Sequence, residues 1–130
     1  MNQPATGKQL EQACAQLGSY LGLDVRTQVR VGRRIWGPRR RIDLVLGDLG
    51  LRRSLGIECK HQNTSGTAEE KIPATIADIE AWPIEGIVCF SGPGFSEHMR
   101  SFLVASGKAV EFDDLEDWLR LYFALDLRNS

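Results

Sequence analysis

Residues 54–63 read SLGIECKHQN, and the reading of this stretch decides the fold. Leu55, Ile57 and Cys59 alternate with Gly56, Glu58 and Lys60, the two-residue period of a half-buried β-strand. The alternation puts Glu58, Lys60 and Gln62 together on one face and Ile57, Cys59 and His61 on the other. A glutamate, a lysine and a glutamine in a row either meet only solvent or hold something.

The chain on either side supplies the frame. Upstream, residues 40–47 alternate as well, with Ile42, Leu44 and Leu46 on one face and Arg41, Asp43 and Val45 on the other. Residues 24–36 form a third alternating segment, joined to the second through WGPRR, where Gly37 and Pro38 break the chain. Residues 7–21 carry Leu10, Cys14, Leu17 and Leu21 at helical spacing. Thr6 is placed to cap that helix, and Gly22 to end it. Glu11 borders its apolar stripe.

Downstream, Thr67 and Glu70 have capping-box spacing before Ile72, Ile76 and Ile79. Pro73 falls too deep for a clean first turn, so a kink or restart is expected there. GIVCFSG (86–92) is the continuous apolar run of a buried central strand. Ser96–Ala105 reads as a helix with Met99, Phe102 and Leu103 inward. AVEF is a short strand. Asp113 and Glu116 can cap a last helix carrying Leu115, Trp118, Leu119, Tyr122 and Phe123, an aromatic stripe that suits a core or a dimer contact. The order is αβββαβαβα. An antiparallel meander of three strands leads into crossover units, giving a mixed sheet flanked by helices.

Length and composition agree with one domain spanning 1–130: 130 residues, 42% apolar and 25% charged. No apolar run approaches the roughly 20 residues of a membrane span, and the first residues lack a secretory pattern. Cys14, Cys59 and Cys89 are odd in number and set among apolar neighbours, so they read as free buried thiols. A cytoplasmic, reducing compartment is expected. Net charge is −1, but it is unevenly spread. Arg26, Arg30, Arg33, Arg34, Arg39, Arg40 and Arg41 come without an intervening acid, whereas Glu111, Asp113, Asp114, Glu116 and Asp117 cluster near the end. Such a chain can bind a polyanion on one side only, or simply carry a solvated arginine-rich hairpin.

If the second and third strands pair, Asp43 and Glu58 come side by side. Two carboxylates alone on a sheet repel one another, and a hard divalent cation relieves that. Lys60 beside them can orient a water or offset developing negative charge. Metal and lysine together suit attack by water on a phosphodiester. No histidine pair has metal-ligand spacing, and no Gly-x-Ser-x-Gly or Cys–His arrangement points to acyl transfer. SGPGFS, around Gly92, lacks a phosphate-loop lysine and reads as a turn.

Asp43 followed by Glu58-Cys59-Lys60 on the next strand resembles the PD-(D/E)XK nuclease superfamily. Glu11 in the first helix and Gln62 after the lysine match further positions of that family, and the resemblance covers residues ~7–105. Ile42 stands where the family often has proline. Glu69-Glu70-Lys71 is a second acid-x-lysine match. It falls in a helical turn, where residues two apart do not share a face, so it is a decoy. The resemblance implies a restriction-endonuclease-like core. Asp43, Glu58, Lys60 and Gln62 would be catalytic. Metal ligation would fall to Asp43, Glu58 and the carbonyl of Cys59, with Glu11 touching a water or a second ion. Magnesium would be the cofactor, with manganese as substitute, and the products would carry a 5′-phosphate and a 3′-hydroxyl.

DNA is the expected partner. Arg33, Arg34, Arg39, Arg40 and Arg41 would contact its phosphates, and Trp36 would stack on a base or pack over the hairpin. The chain carries little beyond the core, so branched or otherwise structured DNA is expected over a sequence-specific site. Restriction- or homing-type cleavage, a non-catalytic DNA-binding module and exonucleolytic action on ends are the alternatives. Cutting both strands implies a homodimer or higher symmetric assembly.

Overall fold

The computed structural model describes residues 3–33, 39–64 and 72–125. Its elements follow the expected order. Helix α1 (Gly7–Tyr20) precedes β1 (Asp24–Arg33), β2 (Arg39–Asp48) and β3 (Arg53–His61). Then come α2 (Ile72–Glu80), β4 (Gly86–Ser91), α3 (Glu97–Ser106), β5 (Ala109–Glu111) and α4 (Leu115–Tyr122). The strands form one sheet in chain order, β1-β2-β3-β4-β5. The first three are antiparallel; β4 and β5 join in parallel through helical crossovers.

Local chemistry explains the helix boundaries. Thr6 Oγ1 accepts the Gln9 N–H at 3.0 Å and satisfies a donor that the first turn leaves open. Ser96 does the same for Met99 at 3.1 Å, so α3 starts at Glu97. The described part of helix α2 spans Ile72–Glu80, so the expected kink or restart at Pro73 falls at the edge of the described residues. The capping pair Thr67 and Glu70 and the decoy triplet 69–71 lie outside the described residues. Before α4 a 3₁₀ turn, Phe112–Asp114, takes the place of a side-chain cap: Asp114 makes no capping bond.

The sheet separates two apolar clusters. Under α1 and α4, Leu10, Cys14 and Leu17 meet Leu44, Leu46, Leu55, Ile57, Cys89 and Leu119. On the other face, Ile72, Ile76 and Ile79 of α2 and Leu103 of α3 pack on Val88 and Phe90. Each large apolar side chain taken fully from water contributes about 1.5–3 kcal/mol. Every residue of β4 is buried, as its unbroken apolar run predicts. Phe102 departs from expectation: it is 44% exposed, and Leu103 takes the inward place on α3. Trp118 and Tyr122 stack at 5.1 Å between ring centroids and back onto the core through Phe123.

One packing feature is invisible in local patterns. Gly56 and Gly86 are partners across β3 and β4, and the Trp82 ring lies over both. A Cβ on Gly86 would come within 2.4 Å of that ring, and one on Gly56 within 2.7 Å. The two glycines make the slot for the indole. Gly86→Ala should therefore destabilise the protein by about 1–3 kcal/mol through overpacking. Urea unfolding checks this; an unchanged midpoint would show that the ring yields freely.

Candidate active site

The ladder between β2 and β3 runs from Asp48↔Arg53 to Leu44↔Ile57. Beyond that pair, side chains take over. The Asp43 N–H donates to Glu58 Oε1 at 3.1 Å, and the Cys59 N–H donates to Asp43 Oδ2 at 2.9 Å. Each carboxylate thus captures a main-chain donor on the other's strand. The crossing fixes both side chains and brings Asp43 beside Glu58, as the sequence predicts.

The face of Asp43 is not the one simple alternation gives. Leu44 and Leu46 pack under α1, but Ile42 is absent from that cluster. Its Cγ2 would lie 3.3 Å from a Cβ on Gly56, on the Trp82 side. Ile42 and Val45, three residues apart, line the same groove. Alternation therefore slips by one residue in β2, at Asp43, between the paired positions Thr27–Leu44 and Val29–Ile42 that also flank Gln28. Gln28 has φ 51°, a left-handed backbone that non-glycine residues seldom adopt. The slip turns Gln28 and Asp43 toward α1, where Gln28 Nε2 donates to Glu11 Oε1 at 3.0 Å and reaches Asp43 Oδ1 at 3.5 Å. Glu11 is thereby brought into the site. Sequence reasoning missed Gln28, because a polar residue in an alternating strand carries no mark of reversed backbone.

The electrostatics follow from crowding. Burial first, then the neighbouring Asp43 charge, push the Glu58 carboxyl up to about 7; Lys60 and the Asp43 N–H pull the other way. Burial and Asp43 also raise Glu11. Glu58 and Glu11, each raised by burial and then by the Asp43 charge, mark a site short of positive charge.

Beneath it sit three free, buried thiols. Cys14 Sγ lies 3.7 Å from Cys89 Sγ and 3.9 Å from Cys59 Sγ. Contact with Cys14 and burial push the Cys59 and Cys89 thiols up, so they stay protonated packing groups.

The remaining site residues are placed differently. Lys60 is half-buried on the Glu58 side of β3. Gln62 follows the end of β3 and is 6% exposed. Its Nε2 donates to the Gly94 carbonyl at 2.8 Å, and its main chain bonds Ser91 and Gly94. Gly92 has φ 104°, and a Cβ there would stand 2.3 Å from the Gln62 carbonyl oxygen, so the SGPGFS turn is shaped to clasp Gln62. His61 joins Ser91 Oγ and Asn63 Oδ1, each at 2.7 Å, outside the carboxylate cluster. Of the arginines, Arg41 is exposed on β2. Arg33, Arg39 and Arg40 lie in paired strand positions, while Arg34 and Trp36 lie outside the described residues.

Among the described residues no three Asp, Glu, His or Cys side chains already stand as a chelating group. The donor set nevertheless fits a hard cation: two carboxylates fixed by main-chain donors, in a site crowded with negative charge. Among the described residues no helix is long and apolar enough to cross a membrane.

A family model for a PD-(D/E)XK nuclease superfamily domain matches residues 3–122. A crystal structure titled as a protein of unknown function, AF1548, shares the fold with TM-score 0.53 at 21% identity. The match covers 79% of this chain and 58% of that one, so this chain spans under two thirds of that neighbour's length. Among curated proteins none matches.

A pH dependence follows from Glu58. Its folded value, raised to about 7 from 4.5, means the folded state binds the proton more tightly. The associated stability is full below pH 4.5 and is lost as pH rises through 7. With divalent ions chelated, Glu58→Gln should be more stable than the parent at pH 8, by roughly 1–3 kcal/mol. The gain should vanish toward pH 4.5. Thermal melts across that range check it; a variant less stable at pH 8 would contradict the crowding.

Proposed function

The chain belongs to the PD-(D/E)XK nuclease superfamily, and we propose that it is a divalent-metal-dependent DNA endonuclease acting on branched or otherwise structured DNA. The observation that carries this reading is the reciprocal bonding of Asp43 and Glu58 across the opened β2–β3 ladder, with Lys60 two residues beyond.

The residues divide the work as follows. Asp43 and Glu58, each tied through one oxygen to a main-chain N–H, offer their remaining lone pairs to a magnesium ion, together with the Cys59 carbonyl. When bound, such an ion makes a coordinated water acidic and offsets charge on the phosphoryl oxygens. Lys60, on the same side of β3 as Glu58, orients the attacking water and donates to the charge that develops on phosphorus oxygens. Glu11 holds a further water through its free lone pairs. Gln62 contributes by fixing the loop at Gly94 next to the strand that carries Lys60.

The arginine hairpin supports DNA as substrate. Arg30 pairs with Arg41 across β1 and β2. Like charges directly opposite one another destabilise a sheet, and a phosphate backbone relieves that cost. Phosphate contacts of this kind hold DNA without reading its sequence, which favours shape over sequence as the recognised feature. Two copies of the chain would supply one active site for each strand.

A four-way junction, a linear duplex and a covalently closed circle, each with magnesium, manganese or chelator, test this proposal. Cleavage of the junction and the circle in magnesium is expected. Lys60→Ala and Asp43→Ala should lower the rate at least ~100-fold while remaining folded. Cleavage that survives chelation or Lys60→Ala would overturn the reading, and binding without cleavage would leave a DNA-binding module.

A further inference from the structure

We propose that Gln28 is a positioning residue for the cation site: its side-chain amide ties Glu11 of α1 to Asp43 of β2, so that Asp43 and the water held by Glu11 are presented to one ion. The inference rests on the metal-dependent reading above and adds a residue to it.

Three observations carry it. The first is the bridge itself, with one amide nitrogen 3.0 Å from Glu11 Oε1 and 3.5 Å from Asp43 Oδ1. The second is the backbone. Gln28 adopts φ 51° inside a strand whose neighbours on either side are regularly paired, Thr27 with Leu44 and Val29 with Ile42. Strain of this kind persists only where the surroundings enforce it, and it collects at functional sites. The third is what the strain achieves. Simple alternation would point Gln28 away from the α1 side, which its neighbour Val25 shares with the core. The reversal aims the amide at Glu11 and Asp43 instead.

The amide is neutral and its N–H₂ group only donates. It can lie between two carboxylates without adding charge, and it holds them in place before an ion arrives. Its contact with Asp43 is the longer of the two and is the one an entering ion can replace. The contact with Glu11 is the shorter and keeps that side chain in the site. Without the amide, Glu11 sits on a half-buried helix border with rotamers to choose from, and the ion must order it on binding. Preorganisation of this type raises affinity without adding a ligand.

The test is manganese affinity, read calorimetrically and by the shift of melting temperature, for the parent, Gln28→Gly, Gln28→Asn and Asp43→Ala. Glycine accepts φ 51° and removes the amide. Asparagine tolerates that backbone but is one methylene too short to span both carboxylates. Both Gln28 variants should melt at or above the parent temperature without metal, yet bind manganese at least ~5-fold more weakly, as expected when preorganisation is lost. Cleavage by both should recover at saturating manganese, a kcat near the parent's with a raised metal requirement. A parent that binds manganese, with Gln28→Gly binding it equally well, would overturn this inference alone. A parent that binds no more manganese than Asp43→Ala would overturn the metal reading and this inference with it.

Discussion

The structure turns on two hydrogen bonds that replace a missing piece of ladder. Where β2 and β3 stop pairing through their main chains, Asp43 and Glu58 each accept a donor from the other strand. Unpaired N–H groups at such an opening would be costly if buried, so the two carboxylates satisfy the backbone as well as forming the site. Both acids are thereby held close together in a partly desolvated place, and burial, with the Asp43 charge added, raises the proton affinity of Glu58 and Glu11. Fold and chemistry meet here. In the proposed reading, the pair of acids that bridges the opened ladder is also the pair that would hold the cation.

The rest of the core keeps that opening in register. Helix α1 lies on one face through Leu10, Cys14 and Leu17, which carries Glu11 to the rim of the site. The thiols of Cys14, Cys59 and Cys89 fill the floor directly beneath. On the other face, the Trp82 ring packs over the Gly56–Gly86 pair, where the parallel part of the sheet starts. At the far end, Gln62 is clasped by the Gly92–Gly94 turn. Lys60 thus projects from a strand secured on both sides of it.

Much of this was legible in the sequence, for a physical reason. The order of elements follows from periodicity, which reports on burial residue by residue: the two-residue period of 54–61, the helical stripe of 7–21 and the unbroken apolar run of 86–90. The acid-x-lysine at Glu58 and Lys60 could be placed because the strand beneath it was clear. What stayed hidden were features that depend on contacts between distant segments or on a local break of the period. Nothing near Gln28 or Asp43, neither glycine nor proline, marks the slip that sends both toward α1 and Ile42 to the opposite face. The Trp82 slot joins three positions on different elements. Cys14, Cys59 and Cys89 could each be called buried, but not mutually touching.

The central claim is that a divalent cation belongs between Asp43 and Glu58, and paramagnetic broadening by manganese tests it most directly. In isotope-labelled protein, substoichiometric manganese should broaden first the amide signals of Asp43, Glu58 and Cys59, with Glu11 and Gln28 next. Magnesium in excess should reverse the effect. Broadening centred on the acidic segment from Glu111 to Asp117, or none above that of free solution, would contradict the account.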